Sequence, residues 1–562
     1  MRILLLTHAF NSLSQRLWAE LTERRHELSI EFDIADSVAE EAVALFKPDL
    51  IIAPYLRRAV PQSIWSRHVC LIVHPGPFGD GGPSALDWAI SNNVKEWGVS
   101  VLQAEAAMDA GPVWSHVSFP LRDASKASVY RHEVTTAATQ AVLDTVTKFE
   151  AKNFTPQRPA NIAWQPLMRQ PDRAIDWKRD DSATVLRKIR AADGFPGVAD
   201  ELFGQPCHLY DACAEATLTG PPGEIVARRE TALLRATIDG GVWIGHIKRT
   251  GGIKLPATLA FPSESNAVPP APTFAERWRS PTPSWQDIAY EESDDIGWLH
   301  FEFYNGAMST SQCQRLQTVL TWAKQRPTKV IVLMGGEDFW SNGIHLNVIE
   351  NAASPADESW ANINAMNDLA LELINTPQHL TVAAVGGNTG AGGCFLARAA
   401  DQVWLRDGVM LNPHYKNMGN LYGSEYWTYL LPRRLGEDGA RRMMQQRLPL
   451  TAALAVANGL ADALLPAERH AFRTDVARRA TEIANATDLA ERLEDKQATR
   501  QRDEATKPLA AYRAEELAHM RRNFYGFDPS YHVARFHFVT KAAASWTPRH
   551  LARHRDLGWV VP

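Results

Sequence analysis

The stretch VCLIVHPGPFGDGGPS spans residues 69–84 and places an apolar run directly before a loop rich in glycine and proline. The run VCLIV has the length and composition of a buried strand. RILLLT within Met1–Thr7 and LIIA at 50–53 have the same character, and amphipathic segments separate these runs. Strands that alternate with helices predict a parallel sheet with helices on its faces. Because ligands of such sheets bind beyond the carboxyl ends of the strands, the loop that begins at His74 is a candidate site.

Composition favours an α/β multidomain protein. The chain has 562 residues, of which 45% are hydrophobic and 22% charged, and at roughly 100–200 residues per domain three or four domains are expected. The net charge of −5 argues against nucleic-acid binding, and no apolar run has the length of a membrane span. The five cysteines are scattered without metal-ligand spacing. We therefore expect a cytoplasmic protein with no metal, no nucleic-acid partner and no membrane association.

Changes of pattern along the chain predict the domain organisation. Short strands and turn residues fill residues 205–250, including a hairpin turn at Asp239-Gly240-Gly241. Proline is frequent in 256–283, which predicts a linker, and a second α/β pattern follows it. The tail 523–541 is aromatic and reads as irregular. The predicted segments are an α/β domain at 1–160, a β-rich domain at 161–255, a Pro-rich linker at 256–285, a second α/β domain at 286–480 and a helical C-terminal extension at 481–562.

The first candidate site combines a histidine and a carboxylate. His74 follows the strand VCLIV, and Asp109 lies in the later segment MDAGPV. On neighbouring loops the two side chains can meet in one crevice, where the histidine stabilises or protonates an oxyanion and the carboxylate tunes it or takes a proton. Each residue alone has a structural alternative, since an aspartate before a glycine is commonly a turn residue.

The segments VHPGPFGDGGPSALDWAI and GVSVLQAEAAMDAGPV resemble the formyltransferase family that uses 10-formyltetrahydrofolate, and the likeness to methionyl-tRNA formyltransferase continues through about residue 250. The resemblance implies a Rossmann-like domain, a small OB-like β domain and catalytic roles for His74 and Asp109. Gly76 and Gly111 are the candidate cofactor-binding positions. Two departures stand out, because the family's Asn position holds Ile72 and its loop arginine is missing around Asp80. Basic and acidic residues balance in 161–254, so tRNA is not the expected acceptor.

The second candidate site consists of two glycine-rich turns. GGEDFWSNGIHL occupies 335–346, and GGNTGAGGCFLARAA occupies 386–400 after the strand TVAAV. Glycines at a strand-to-helix turn leave backbone N–H groups free, and the start of the helix adds positive potential. Two such turns that face each other can bind a developing oxyanion, although most glycine-rich turns are only tight turns.

Together the two turns resemble the crotonase (enoyl-CoA hydratase/isomerase) superfamily over about 295–470. The resemblance implies that the N–H groups of Asn342 and Gly392 polarise a coenzyme A (CoA) thioester, with Gly343 and Gly393 as further binding positions. The two hydratase glutamates are absent, because Phe395 stands at the first position and His414 or Tyr415 at the second. Water addition is therefore not expected.

Ionisable groups remain near the second hydratase position. His414 and Tyr415 are joined ten residues later by Glu425. A Tyr–Glu pair in a dry pocket can share a proton, with burial raising the carboxyl pKa. The sequence leaves open which of these three residues is the base.

The order of the two halves, and the tail NFYGFDPSYHVARFHFVTK, resemble the HypX/HoxX family of NiFe-hydrogenase maturation proteins over essentially the whole chain. The resemblance implies synthesis of carbon monoxide (CO): a formyl group passes from 10-formyltetrahydrofolate to CoA, and formyl-CoA then releases CO. Tetrahydrofolate and CoA are the expected ligands, and the hydrogenase large-subunit precursor is a possible partner. Arg535 and Lys541 are candidate contacts for CoA phosphates, with solvated surface charge as the alternative.

Three other functions remain open at this point. The protein could hydrolyse formyl-CoA or formyl-folate to formate. It could be a non-catalytic scaffold that binds folate or CoA, or a formyltransferase that acts on an amine such as a sugar nucleotide.

Overall fold

The computed structural model describes residues 1–271, 278–280 and 282–556. The chain divides into two compact units, one formed by Met1–Ala271 with Ala543–Pro562 and the other by Pro272–Ala542. Within the described ranges, no helix has both the length and the apolar character that crossing a membrane requires.

The first domain of the first unit is a six-stranded sheet with helices, as the α/β pattern predicted. The strand order is β2-β1-β3-β4-β6-β7. Its elements in chain order are β1 (Arg2–Thr7), α1 (Ser12–Glu23), β2 (Glu27–Phe32), α2 (Asp36–Phe46), β3 (Leu50–Tyr55), α3 (Gln62–Trp65), β4 (Cys70–His74), β5 (Asp80–Gly81), α4 (Ala85–Ser91), β6 (Glu96–Gln103), β7 (Val113–Pro120), α5 (Lys126–Val129) and α6 (Thr135–Ala151).

The sheet is mixed, whereas a parallel sheet was predicted. Strands β1 to β4 are parallel, but β6 runs antiparallel to both β4 and β7. The connection 104–112 between β6 and β7 is too short for the crossover that parallel strands need. The loop after His74 still lies at the carboxyl end of β4, so the predicted location of the site is unaffected.

The second domain is β-rich, as predicted. Its antiparallel sheet has the order β11-β12-β13-β10-β9, with β14 paired to β13, and the turn at Asp239-Gly240-Gly241 joins β12 and β13. Its elements are β8 (Ala163–Trp164), α7 (Ser182–Ala192), β9 (Val198–Leu202), β10 (Gln205–Glu215), β11 (Ile225–Arg229), β12 (Ala232–Ala236), β13 (Gly241–Arg249), β14 (Lys254–Pro256), α8 (Ala257–Ala260) and α9 (Pro262–Ala267).

The predicted linker at 256–285 is wrong in its first part. Residues 257–267 form α8 and α9, and Ala257, Ala260 and Phe261 are buried in the core of the β domain. Apolar residues between the prolines supply that core contact, which the proline count concealed. Residues 272–277 and 281 of the predicted linker lie outside the described residues.

The second unit contains two sheets, of order β15-β16-β17-β19-β21-β24 and β18-β20-β22-β23. Most of its pairs are parallel. Its elements are β15 (Ile288–Ser293), β16 (Ile296–Phe301), α10 (Thr310–Ala323), β17 (Val330–Leu333), β18 (Phe339–Ser341), α11 (Leu346–Asn351), α12 (Pro355–Ile374), β19 (Leu380–Val385), β20 (Asn388–Gly390), α13 (Gly392–Arg398), β21 (Gln402–Arg406), β22 (Met410–Asn412), α14 (Trp427–Leu430), α15 (Pro432–Gln445), β23 (Leu450–Thr451), α16 (Ala452–Ala457), β24 (Ala463–Leu465), α17 (Arg469–Ala484), α18 (Leu489–Thr506), α19 (Leu509–Tyr525) and α20 (Ser530–Thr540).

The C-terminal part corrects two expectations. The tail 523–541 is mostly helical, because it completes α19 and forms α20. The extension 481–562 is also not one element, since the chain from Ala543 belongs to the first unit. There it packs on the edge strand β2, where Ile30 N–H donates to the Leu551 carbonyl at 3.0 Å and His554 Nε2 lies 3.0 Å from Glu31 Oε2. Contacts between residues more than 500 positions apart give no local sequence signal.

Candidate active sites

His74 is held between two carboxylates in the first unit. It is the last residue of β4 and is 5% exposed. Its Nε2 hydrogen-bonds Asp80 Oδ2 at 2.8 Å, and its Nδ1 lies 3.8 Å from Asp109 Oδ2. The structure therefore brings the predicted pair together and adds Asp80, which the sequence analysis noted only as a departure from the family pattern. A histidine flanked by two acids is suited to hold or move a proton.

Asp109 is positioned by an unusual backbone. Its φ is +53°, a left-handed conformation that is uncommon outside glycine, and its Oδ2 accepts the Gly82 N–H at 3.0 Å. This bond ties the Asp109 loop to the glycine-rich loop that follows β4. Ile72 precedes His74 by two residues in the same strand, and its side chain offers no hydrogen bond at the family's Asn position.

The two predicted glycine positions of the first site differ in their surroundings. A Cβ on Gly76 would lie 2.1 Å from Asp80 Oδ2 and 2.5 Å from His74 Nε2, so this glycine leaves room for the His–Asp contact. A Cβ on Gly111 would lie 1.8 Å from the Gln103 carbonyl oxygen. Gly111 therefore permits the close approach of its loop to β6, which is a structural requirement independent of any ligand.

In the second unit the two predicted turns pack against each other. A Cβ on Gly343 would lie 3.2 Å from the backbone nitrogen of Gly392, and one on Gly393 would lie 2.1 Å from the Ser341 carbonyl oxygen. Helix α13 begins at Gly392, so the Gly392 N–H has no acceptor within its own helix. We call this closely packed pair of turns the cradle; its Gly392 N–H is the kind of backbone donor that binds a carbonyl oxygen.

The predicted Asn342 donor is corrected by the structure. The Asn342 N–H donates to the Gly306 carbonyl at 2.7 Å, so it is not available to an oxyanion. Two residues later, the Ile344 N–H has no acceptor among the residues that the structure describes. The role of this glycine-rich turn stays a prediction, but Asn342 does not supply its free N–H group.

Tyr415 and Glu425 form the predicted pair beside this cradle. Tyr415 Oη donates to Glu425 Oε2 at 2.5 Å, and both residues are buried, at 6% and 1% exposure. A Cβ on Gly392 would lie 2.3 Å from Glu425 Oε1. One carboxylate oxygen thus binds the tyrosine while the other abuts the glycine at the start of α13.

Burial changes the acidity of both groups. The pKa of Glu425 is raised from 4.5 to about 8, mainly by burial and in smaller part by the Glu516 carboxylate, against the effect of the Tyr415 hydroxyl. Burial likewise raises the pKa of Tyr415 well above its usual value of 10. A carboxyl that titrates near neutral pH is suited to accept and return a proton.

Two more predicted residues border the pair. Phe395 is fully buried, and its ring stacks on Tyr415 with centroids 5.5 Å apart and planes at 18°. His414 is buried beside Tyr415 in the chain, but within the described residues the side chain that hydrogen-bonds the Glu425 carboxylate is that of Tyr415. The geometry therefore favours Tyr415 and Glu425 over His414 as the proton-handling groups.

The two predicted phosphate contacts differ from each other. Arg535 is 4% exposed, and its Nε donates to Glu350 Oε2 at 2.7 Å. Its positive charge is therefore paired with a carboxylate within the second unit. It is not solvated surface charge. Lys541 is exposed, with Nζ 4.1 Å from the centroid of the Phe538 ring.

Comparisons with known proteins identify the family. The chain is 51% identical over 561 residues to the hydrogenase maturation factor HoxX of Bradyrhizobium diazoefficiens, covering 99% of this chain and 97% of that protein. The chain belongs to the HypX/HoxX family of hydrogenase maturation factors. Its structure is similar to HypX from Aquifex aeolicus in complex with tetrahydrofolic acid, with a TM-score of 0.97, 47% identity and full coverage of both chains.

Domain-level matches agree with the predicted architecture of this family. Residues 167–263 match the model of the formyl transferase C-terminal domain, and residues 303–541 match enoyl-CoA hydratase/isomerase. The methionyl-tRNA formyltransferase of Paraburkholderia phymatum is 25% identical over 37% of this chain and 65% of its own length. The fold class predicted from sequence is therefore confirmed, and the domains are those of a one-carbon transferase.

Sequence reasoning missed the groups that hold Glu425 in place. Asn367 on α12 and Glu516 on α19 both contact the turn that carries it. Glu516 is fully buried within an amphipathic, charge-rich helix. A glutamate at a core-facing position of that helix could have indicated a buried hydrogen-bonded carboxylate. Its partners, however, lie about 90 residues away in the sequence.

Proposed function

We propose that the protein synthesises CO for hydrogenase maturation in two steps. A formyl group passes from 10-formyltetrahydrofolate to CoA at the first site, and formyl-CoA is decarbonylated at the second site. The observation that carries this proposal is the close approach of Glu425 Oε1 to Gly392. Beside it, the ring of Phe395 stacks on Tyr415, the hydrogen-bond partner of Glu425.

The first step is acyl transfer to sulfur. The CoA thiol attacks the formyl carbon, the C–N bond to the folate breaks, and the folate nitrogen takes a proton. His74 can stabilise the oxyanion or deliver that proton, and Asp80 and Asp109 hold its two ring nitrogens. The match to HypX in complex with tetrahydrofolic acid supports folate as the donor. The near balance of charges in the β domain supports a small acceptor rather than tRNA.

The second step needs a base and a leaving thiolate. A formyl thioester has no α-carbon, so the enolate chemistry of a typical thioester is closed to it. Glu425 takes the proton from the formyl carbon, the C–S bond breaks, and the carbon leaves as CO. Protonated Glu425 then returns the proton to the thiolate, which regenerates CoA and the Glu425 carboxylate. In the cradle, the Gly392 N–H at the start of α13 can donate to the thioester oxygen, because it has no acceptor within its own helix.

Exclusion of water separates CO release from the alternative, hydrolysis to formate. Tyr415 and Phe395 close one side of Glu425 with stacked rings, and both are buried. In this buried site the proposal assigns to Glu425 the proton on the formyl carbon and not a proton of water. The scaffold alternative does not use the proton-handling pair, and transfer to an amine leaves the second unit without a role.

A labelled donor tests the proposal. The full chain is supplied with 10-formyltetrahydrofolate carrying ¹³C in the formyl group, with and without CoA, and the label is followed. The expected products are ¹³CO and regenerated CoA over many turnovers, with none in the absence of CoA. Labelled formate alone would favour the hydrolase, one equivalent of bound donor without turnover would favour the scaffold, and formylation of an added amine would favour the third alternative.

A further inference from the structure

The turn that carries Glu425 has a strained backbone. Glu425 and Tyr426 are consecutive non-glycine residues with φ of +58° and +60°. Left-handed conformations at such residues persist only where the surrounding structure holds them, and they cluster at functional sites. The turn therefore requires partners that fix it, and the structure shows two.

Glu516 holds the turn from helix α19. Its Oε2 accepts the Tyr426 N–H at 3.0 Å and the Ser424 hydroxyl at 3.2 Å. Its Oε1 accepts the N–H and the hydroxyl of Thr428 at 2.9 and 2.6 Å. Four hydrogen bonds to one fully buried carboxylate bridge both sides of the strained pair.

Asn367 holds the same turn from helix α12. Its Oδ1 accepts the Glu425 N–H at 2.8 Å and the Ser424 hydroxyl at 2.9 Å. Its Nδ2 is buried and has no hydrogen-bond partner in the described part of the chain. The oxygen of this side chain is thus the atom that the turn uses.

We propose that Glu516 is a positioning residue for Glu425: it fixes the turn that directs Glu425 Oε1 at Gly392. Asn367 is the uncharged second support. This inference rests on the proposed function. It adds a positioning group from outside the sheets that form the cradle, because α19 lies in the C-terminal extension.

The charged and titratable groups around the pair agree with this role. Burial raises the pKa of Glu516 to about 7, and the charge of Glu516 raises the pKa of Glu425. The groups that face the turn come from every element packed on it: Cys313 of α10, Asp368 of α12, Cys394 of α13, Tyr415, Tyr422, Tyr426, and Arg513 of α19. Beside these groups, Glu516 is the carboxylate that raises the pKa of Glu425 by its like charge and also hydrogen-bonds the turn that carries Glu425.

Paired substitutions test the proposal. Glu516→Gln removes the charge and retains the size of the side chain, whereas Asn367→Asp adds a charge and retains the accepting oxygen. In the free enzyme, the carboxyl stretch of Glu425 is titrated by difference infrared spectroscopy and identified by its loss in Glu425→Gln. In the working enzyme, the pH dependence of CO release from formyl-CoA is measured.

The two variants should shift the Glu425 midpoint in opposite directions, downward in Glu516→Gln and upward in Asn367→Asp. Glu516→Gln should also reduce kcat at least tenfold with little change in KM. Glu515→Gln is the matched control, because Glu515 is the exposed neighbour of Glu516 on α19 and pairs with Lys507; it should leave rate and midpoint unchanged. Unmoved midpoints in both variants would reduce Glu516 to a structural residue and overturn the proposal.

Two outcomes keep this test separate from the proposed function. If wild type releases no CO, the proposed function fails, but the infrared titration still decides whether Glu516 controls Glu425. If Glu516→Gln does not fold, Thr428→Val removes one of the four hydrogen bonds to Glu516 and should shift the midpoint through the altered carboxylate. An unmoved midpoint in that variant and in Asn367→Asp would again overturn the proposal.

Discussion

His74 in the first unit lies between two carboxylates, whereas Glu425 in the second unit hydrogen-bonds a tyrosine and has another carboxylate nearby. Two acids flank the imidazole of His74, whereas burial raises the pKa of Glu425. His74 ends strand β4 and Gly392 follows strand β20, each in a glycine-rich turn, whereas Glu425 lies in an irregular turn that reaches Gly392 from a later part of the chain. In the proposed function, the first site moves a formyl group and the second site removes its proton.

The largest expected effect breaks the second site alone. Glu425→Gln retains the shape of the side chain but removes the base, and a positioned base contributes about 10²–10⁴-fold to a rate. We expect CO release from supplied formyl-CoA to fall by about 10⁴-fold, since the proton leaves carbon. Formyl transfer to CoA should continue, so formyl-CoA accumulates. CO release at the wild-type rate would contradict the assignment of Glu425.

The converse variant breaks the first site. His74→Asn should slow consumption of 10-formyltetrahydrofolate by about 10²-fold, because the group that moves the proton is lost. CO release from supplied formyl-CoA serves as the internal control and should remain near wild type. If both reactions fell together, the two sites would not be separate in the way the comparison requires.

A smaller effect tests the dry character of the second site. Phe395→Leu replaces the ring that stacks on Tyr415 by a smaller side chain and opens space beside Glu425. Water that enters this space competes with proton removal, so formate should rise a few-fold relative to CO. The two products are measured from the same ¹³C-labelled formyl-CoA. An unchanged ratio would show that Phe395 does not control access of water.

The smallest effect is on stability. The folded-state pKa values of Glu425 and Glu516, about 8 and about 7, lie above their ordinary value of 4.5. Their contribution to stability is therefore fully present below about pH 4.5 and is lost as pH rises through 7 and 8. Wild type should lose Tm between pH 6 and 9 more than Glu425→Gln does, by a few degrees, since about 1 kcal/mol corresponds to 2–4 °C in a domain of this size. Parallel Tm curves would contradict the raised pKa of Glu425.

Local signals predicted much of both sites. The strand VCLIV before a glycine-rich loop located His74, and the glycine pattern at 386–400 located Gly392. The spacing of Tyr415 and Glu425 predicted a pair that the structure places in hydrogen-bond contact. These features depend on strand ends and turns, which short stretches of sequence determine.

Features that depend on distant contacts were not predictable. Glu516 reaches the Glu425 turn from a helix about 90 residues away, and residues 551–554 lie against the edge strand of the first sheet. The prediction that the Asn342 N–H donates to an oxyanion is wrong for another reason: the fold brings the Gly306 carbonyl to it as an acceptor. The hydrogen-bond partner of a backbone group is settled by the fold, and not by the turn that carries it.

The most direct test supplies formyl-CoA with ¹³C and deuterium in its formyl group to the full-length protein and records labelled CO. The account predicts ¹³CO in wild type, slower release from the deuterated than from the protonated substrate, and loss of ¹³CO in Glu425→Gln. Release of ¹³C-formate without ¹³CO, or ¹³CO formed equally well by Glu425→Gln, would contradict the claim that Glu425 removes the formyl proton.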